Sequence, residues 1–266
     1  MTITSPQNER LKELRKLAQR RVRAQTGRFV AEGEDLLEAA DAAGWRPLER
    51  YCAAGSDLAG TEVEPEVLAG VSQLGSGTRT LAVYEQRWAP APTGPLCVYL
   101  HGISDPGNVG TVLRSALAFG AGSVVLGPDC ADPYGPKAVR ASMGAIFAVP
   151  VARVESEAAA GDDERTAAGL VAALPGTTLA LDSHGGEPID ALAVSLDGAV
   201  TILVGAERAG LPADVVAACD RVARIPIRSE SLNAAMAATV ALYELTRSTL
   251  GSPPDAAGAD RRMGAA

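Results

Sequence analysis

Along the chain, apolar positions fall into two regimes. Residues 29–88 mix short patterns, with a helix predicted near Gly33–Ala43 and strands near Leu48–Cys52 and Thr80–Tyr84. Beyond Ala89–Pro95 the pattern changes. Short apolar runs recur at Leu96–Leu100, Ser123–Leu126, Ile146–Val151, Thr178–Leu181, Val200–Val204 and Arg221–Ile227, with helical stretches between most of them. Strands that alternate with helices imply a largely parallel sheet with helices on its faces. A last helix is predicted from about Leu232 to Leu250. The segment Ala89–Pro95 holds three prolines and a glycine and reads as the linker between the two regimes. Residues 251–266 read as a disordered tail, and the acidic stretch Glu155–Glu164 as a surface segment ahead of a helix. The division expected is therefore 1–90, 96–250 and a tail over 251–266.

Composition narrows the class. At 266 residues, with 47% apolar and 21% charged residues, the chain is able to bury a sizeable core. Aromatics are 4%, so Ala, Val and Leu carry most of the packing. The net charge of −8 argues against a protein that coats nucleic acid with its whole surface. The charge is uneven, however. Residues 9–28 carry Arg10, Lys12, Arg15, Lys16, Arg20, Arg21, Arg23 and Arg28 against Glu9 and Glu13. Such a run is often only a solvated helix face; inside an acidic protein it also suggests a polyanion partner. The four cysteines are at least 33 residues apart, which leaves no CxxC spacing and reads as buried free thiols in a reducing cytoplasm. The N-terminus is polar, and no apolar run approaches the roughly 18 residues that span a bilayer. No membrane association is expected.

Three segments carry candidate chemistry. In His101–Arg114 a strand opens into a Gly-rich turn and a helix, an arrangement that presents free backbone N–H groups. Its glycines, Gly102, Gly107 and Gly110, do not form GxGxxG, and no GK[ST] follows, so neither a dinucleotide fingerprint nor a P-loop is present. Asn108 reads as the helix N-cap. Arg114, six residues later and read as close to the same face, interrupts an apolar run; the plain alternative is a surface helix residue. In Leu203–Pro212 a strand ends at Gly205 and is followed by Glu207, where ligands of open α/β sheets bind. In Arg224–Met236 a strand runs through a polar loop into a helix of small residues, with Ser231 as the candidate cap and Asn233 offering a donor and an acceptor. Asp182-Ser183-His184 invites a hydrolase triad, but adjacent residues do not orient as nucleophile, base and orienter, and no GxSxG elbow exists. His101 and His184 lack spaced partners for a metal.

Taken together, DPGNVGTVLRSALAFGA (105–121), LVGAERAGLP (203–212) and IPIRSESLNAAMAATVALYE (225–244) resemble the three ordered motifs of the SpoU (TrmH) RNA ribose 2′-O-methyltransferases of the SPOUT superfamily. RASMGAIFAVP (140–150) adds to the likeness, and residues 8–40 are similar to the RNA-binding domain often fused ahead of it. The resemblance implies a trefoil-knotted α/β methyltransferase domain with a mainly parallel sheet, preceded by a small α/β, ribosomal-protein-like RNA-binding domain. It also implies S-adenosyl-L-methionine as cofactor and a homodimer. Carried over residue by residue, Arg114, Asn108, Glu207, Ser231 and Asn233 become the catalytic set, and Leu203, Gly205, Ile225, Leu232 and Ala234 the cofactor set. Arg20, Arg21, Arg23 and Arg28 become the RNA contacts, and no metal is expected. Only Arg228-Ser229-Glu230 separates Ile227 from Ser231, a shorter stretch than the family usually carries. An N-terminal domain of this size favours 23S ribosomal RNA over tRNA. A non-catalytic RNA-binding protein of the same fold and a nicotinamide oxidoreductase are the other readings, and the failed glycine fingerprint disfavours the latter.

Overall fold

The structure is a computed structural model that describes residues 2–73, 77–154 and 167–250. It begins with two short helices, α1 (Glu9–Lys16) and α2 (Arg20–Thr26). Leu11, Leu14 and Leu17 recur every three residues and bury one face of α1, while the Asn8 side chain accepts the Arg10 N–H at 3.0 Å and closes its first turn. There follow β1 (Arg28–Glu32), α3 (Glu34–Ala42), β2 (Glu49–Ala53), β3 (Thr61–Val63), α4 (Pro65–Ala69) and β4 (Thr80–Glu85). The four strands form a sheet in the order β1-β4-β2-β3, with β4 antiparallel to both neighbours. Alternation divides its faces. Leu81 and Val83 of β4 pack under α1 and α4, whereas Phe29 and Ala31 of β1 with Ala82 and Tyr84 of β4 face the rest of the molecule.

The second sheet has seven strands, all parallel. In chain order its elements are β5 (Leu96–Leu100), α5 (Pro106–Ala118), β6 (Ser123–Leu126), α6 (Pro136–Ala141), α7 (Ala145–Ala148), β7 (Val151–Arg153) and α8 (Ala167–Ala172). Then come β8 (Thr177–Leu181), β9 (Glu187–Pro188), α9 (Ile189–Ser195), β10 (Val200–Val204), α10 (Ala213–Ala218), β11 (Arg221–Arg224) and α11 (Ala234–Leu250). The strand order is β7-β6-β5-β10-β8-β11-β9, so β10 returns to pair between β5 and β8. Every residue of β5, β6 and β10 is buried, because helices cover both faces. One core joins Val98, Val124 and Ile202 with α5, α9 and α11; the other joins Cys97, Val125 and Leu203 with α8 and α10.

Several expectations are corrected. The apolar run Ile146–Val151 is not one strand: α7 occupies its start and β7 begins at Val151. Strand β11 stops at Arg224, before Ile225 and Ile227, and α11 starts at Ala234. Segment 89–95 is held in place: the Ala89 N–H donates to the Val151 carbonyl at 2.8 Å and the Thr93 N–H to Ser123 Oγ at 2.9 Å. The tail 251–266 and the acidic stretch lie outside the described residues. The two sheets share a core. Phe29, Trp45 and Tyr84 meet Tyr134 and Phe147, and Trp45 Nε1 donates to the Phe147 carbonyl at 2.8 Å.

Candidate active site at the carboxyl edge of the parallel sheet

Because all seven strands run the same way, the turns that follow them gather at one edge, where open α/β sheets bind ligands. The turn after β5 ends in Asp105, not Asn108, as the cap of α5: Asp105 Oδ1 accepts the Gly107 N–H at 2.7 Å, and Pro106 takes the first helical position, where its missing N–H costs nothing. Lys137 Nζ approaches the same oxygen at 2.8 Å, and it and the Gly107 N–H hold the Asp105 carboxyl below the usual carboxylate range. Asn108 is thereby freed to project from the first turn. Gly110 is obligatory here, since a Cβ would stand 2.3 Å from the Ala138 carbonyl oxygen of α6.

After β10 the backbone makes a tight hairpin, Ala206 and Gly210 exchanging N–H···O bonds of 3.1 and 2.8 Å. Gly210 sits at φ +66°, and a Cβ on Gly205 would lie 2.1 Å from the Gly210 carbonyl carbon. This close approach throws Glu207 outward. After β11, Asn233 caps α11, its Oδ1 accepting the N–H groups of Ala235 and Met236 at 2.9 and 3.3 Å. Ser231 does not cap; it is exposed, and its carbonyl accepts a 3.4 Å hydrogen bond from Ser229 Oγ.

These turns converge. Asn108 Nδ2 donates to Glu207 Oε1, and Asn233 Nδ2 donates to the same oxygen at 2.8 Å and to Asn108 Oδ1 at 3.1 Å. One carboxylate oxygen thus ties together the starts of α5 and α11 across 99 and 26 residues of sequence. Since the Asn233 oxygen is fixed by the helix cap, its amide has one orientation. Arg114 stays outside this network. Six residues advance a helix by about 240°, so Arg114 does not stack over Asn108; it stands exposed beside Thr111 and Ala118 with no hydrogen bond or ion pair among the described residues.

Beside the junction opens a cleft of about 600 Å³. Of the expected cofactor residues, Gly205, Ile225, Leu232 and Ala234 line it, as do Glu207 and Ser231. Leu203 does not: it is fully buried on the opposite face, against Cys97 and Tyr99. Its neighbour Val204 takes the lining position, as a strand's two-residue period requires. The turn after β8 adds Asp182, Ser183 and His184 to the wall. There the His184 N–H donates to Asp182 Oδ1 at 2.8 Å and Ser183 Oγ pairs with His184 Nδ1 at 2.8 Å, a local turn and not a triad. Their place at a strand end was the clue to this role. Among the described residues no group of three or more His, Cys, Asp or Glu is arranged for a metal ion, and no helix is long and apolar enough to cross a membrane.

The basic N-terminal run is only partly available. Lys12 pairs with Glu9 and Lys16 with Glu13, and Arg15 Nη1 donates to the Pro6 carbonyl at 2.8 Å. Arg23 is not a surface cation. It is 4% exposed, pairs with Asp132 at 2.7 Å and donates to the carbonyls of Leu17 and Ala18, both at 2.8 Å. It joins the two units and is removed from the RNA contacts expected above. Arg20, Arg21 and Arg28 are exposed.

Comparison with known proteins agrees with this geometry. The SpoU rRNA methylase family profile matches residues 95–243, and an MRM3-like substrate-binding domain profile matches residues 8–86. An uncharacterised tRNA/rRNA methyltransferase of Synechocystis is 31% identical, over 92% of this chain and 93% of its own. The 23S rRNA (guanosine(2553)-2′-O)-methyltransferase RlmP of Bacillus subtilis is 30% identical, over 91% of this chain and 98% of its own. The crystal structure of an AdoMet-bound rRNA methyltransferase from Sinorhizobium meliloti superposes with a TM-score of 0.79 at 30% identity, covering 93% of this chain and 98% of that one. With three strand-end turns meeting at one junction and the family profile spanning more than half of its length, the chain belongs to the SpoU rRNA methylase family.

Proposed function

We propose that this RNA methyltransferase transfers a methyl group from S-adenosylmethionine to a ribose 2′-hydroxyl of 23S ribosomal RNA, working as a cytoplasmic homodimer. The observation that carries the reading is the Asn108–Glu207–Asn233 junction at the lip of the cleft. The cleft suits the cofactor: its volume lies in the range of small-molecule sites, Val204, Leu211 and Ile225 give it apolar walls, and Asp182, Glu207 and Glu230 place carboxylates around a ligand with a cationic sulfonium. When bound, S-adenosylmethionine supplies a methyl group that its sulfonium already activates.

The residues of the chain do the remaining work. Apolar walls exclude water, and the junction fixes the geometry of the three turns. A ribose hydroxyl is a poor nucleophile near neutral pH, so its developing negative charge needs stabilisation. A guanidinium is a donor with no acceptor atom, so Arg114 does not serve as the base. Its role is to hold a neighbouring phosphate and to donate charge-assisted hydrogen bonds to the 2′-oxygen as charge builds there, while the hydroxyl proton leaves to a phosphate oxygen, to water or to another residue. Glu207, Asn108, Ser231 and Asn233 shape the junction between substrate and cofactor. Arg20, Arg21 and Arg28 supply phosphate contacts. Arg114→Ala lowers methyl transfer by about 100- to 1,000-fold while leaving cofactor affinity unchanged; wild-type turnover in a tritiated-methyl assay overturns the assignment.

The dimer reading rests on α5 and α11. These helices are joined by the 2.6 Å Ser115–Thr239 hydroxyl contact, yet Leu117, Met236 and Tyr243 remain 48, 62 and 50% exposed on them. A second copy covering this face would enclose Arg114, and light scattering after size exclusion tests it. The return of β10 between β5 and β8 supports the threaded, trefoil-knotted path implied by the family. The rRNA target rests on the likeness to the Bacillus subtilis relative, a 23S rRNA 2′-O-methyltransferase.

A further inference from the structure

The seam between the two sheets carries arginines that the proposed chemistry does not use. The guanidinium carbon of Arg87 lies 4.0 Å from the centre of the Trp45 ring, and that of Arg153 lies 4.2 Å from the centre of the Trp88 ring. Both rings are fixed. Trp45 Nε1 donates to the Phe147 carbonyl, and Trp88 stands edge-on to Tyr134 with centroids 5.1 Å apart. The backbone bridge between Ala89 and Ala152 is parallel, so Arg153 stands level with Pro90 and Arg87 level with Pro150, about 10 Å apart along the strands, and both guanidinium groups face Tyr134. Arg20 adds a like charge facing Arg153. The carboxylate that also faces Arg153, Asp132, is engaged by Arg23 through Nε at 2.9 Å and Nη2 at 2.7 Å. Arg20, Arg87 and Arg153 are all exposed, and none has a side-chain hydrogen bond or ion pair among the described residues.

Asp132 is already engaged by Arg23, so Arg20, Arg87 and Arg153 leave a net positive charge on this seam that an anion would complete, and stacking on tryptophan fixes the guanidinium planes of Arg87 and Arg153 in advance. The position matters as well. Arg153 ends β7, so it lies at the same carboxyl edge as the junction, three strand spacings from β10, or about 14 Å. We infer that Arg87 and Arg153, with Arg20 beside them, form a phosphate clamp at the domain seam that grips the backbone of the RNA whose ribose lies at the Asn108–Glu207–Asn233 junction. The clamp rests on the RNA methyltransferase reading and adds to it a second contact point, which aligns the strand along the sheet edge.

The test is the paired variant Arg87→Gln with Arg153→Gln, set against Arg87→Lys with Arg153→Lys. Binding of a fluorescein-labelled stem-loop RNA is followed by anisotropy across a salt series, together with thermal melting, methyl-transfer kinetics and calorimetric titration of S-adenosylmethionine. The clamp predicts that the Gln pair flattens the log–log salt slope by about 1 to 2 and raises KM for RNA, with kcat and cofactor affinity unchanged. The Lys pair, which keeps the charge, retains the slope. A Gln pair that melts lower but keeps the wild-type slope makes these arginines purely structural and overturns the clamp. Wild-type chain that binds the cofactor but shows no salt-dependent RNA binding overturns the RNA reading along with it. A steep wild-type slope shared by the Gln pair overturns the clamp alone.

Discussion

Replacing Arg23 by alanine separates a structural arginine from a nucleic-acid contact. The side chain is 4% exposed and makes four short contacts: two to Asp132 at 2.9 and 2.7 Å, and two to the carbonyls of Leu17 and Ala18, between α1 and α2, at 2.8 Å. Removing it leaves the Asp132 carboxylate, itself 11% exposed, without its cation at a seam between two units. Breaking one side of a buried ion pair costs about 3–5 kcal/mol, because the remaining charge stays desolvated. For a chain of this size each kcal/mol lowers Tm by about 2–4 °C, so the variant should melt about 6–20 °C below wild type. Asp132→Ala combined with Arg23→Ala should lose less than the sum of the two single changes, since the orphaned charge is gone. Urea unfolding followed by circular dichroism measures all four proteins. Arg23→Ala within about 0.5 kcal/mol of wild type, the range of ordinary surface substitutions, shows that the Arg23–Asp132 pair does not hold the seam together. It would do so most decisively if RNA affinity fell at the same time, which would return Arg23 to the RNA-binding face.

Two further outcomes follow from the site and from the sheet. Asn233→Ala removes both the α11 cap and the donor to Glu207, so it lowers stability by about 0.5–2 kcal/mol and methyl transfer with it. Asn233→Ser restores the cap but not the reach to Glu207, so stability recovers and activity does not; recovery of both shows that the Glu207 contact is dispensable. Asp220 accepts the Thr178 N–H and hydroxyl, both at 2.8 Å, and these bonds depress its pKa. A depressed carboxylate stabilises the fold above its unfolded pKa of about 3.9 and loses that contribution as pH falls through the folded value. Asp220→Asn should therefore flatten the acid limb of stability against pH, and an unchanged limb counts against the bond.

Local pattern made much of this legible. The strands β5, β6, β8 and β10 stand where apolar runs predicted them, because a doubly covered parallel strand has no polar side to obscure it. The run 146–151 misled because a few apolar residues suit a buried turn of helix as well as a strand. The caps were misread between near equivalents. Asp and Asn are near equals as N-cap residue types, and Pro106 in the first helical position is the clue that makes Asp105 the cap and not Asn108. Ser231 and Asn233 posed the same choice, settled by where the alanine run begins. Leu203 was one residue out of phase with the cleft. Nothing local marks Arg23 among its basic neighbours, since its partner lies 109 residues away and burial depends on how the two sheets meet. Asp182, Ser183 and His184 drew notice as chemistry but not as wall, because the pairing of β8 between β10 and β11 places them there.

In the proposed function the junction and the cleft act together on a ribose oxygen. The most direct measurement is mass spectrometry of nucleosides released from 23S rRNA after incubation with the chain and isotopically labelled S-adenosylmethionine. Methyl transfer to a ribose oxygen gives label in a single 2′-O-methylnucleoside; label on a base, or none from a chain that binds the cofactor, excludes it.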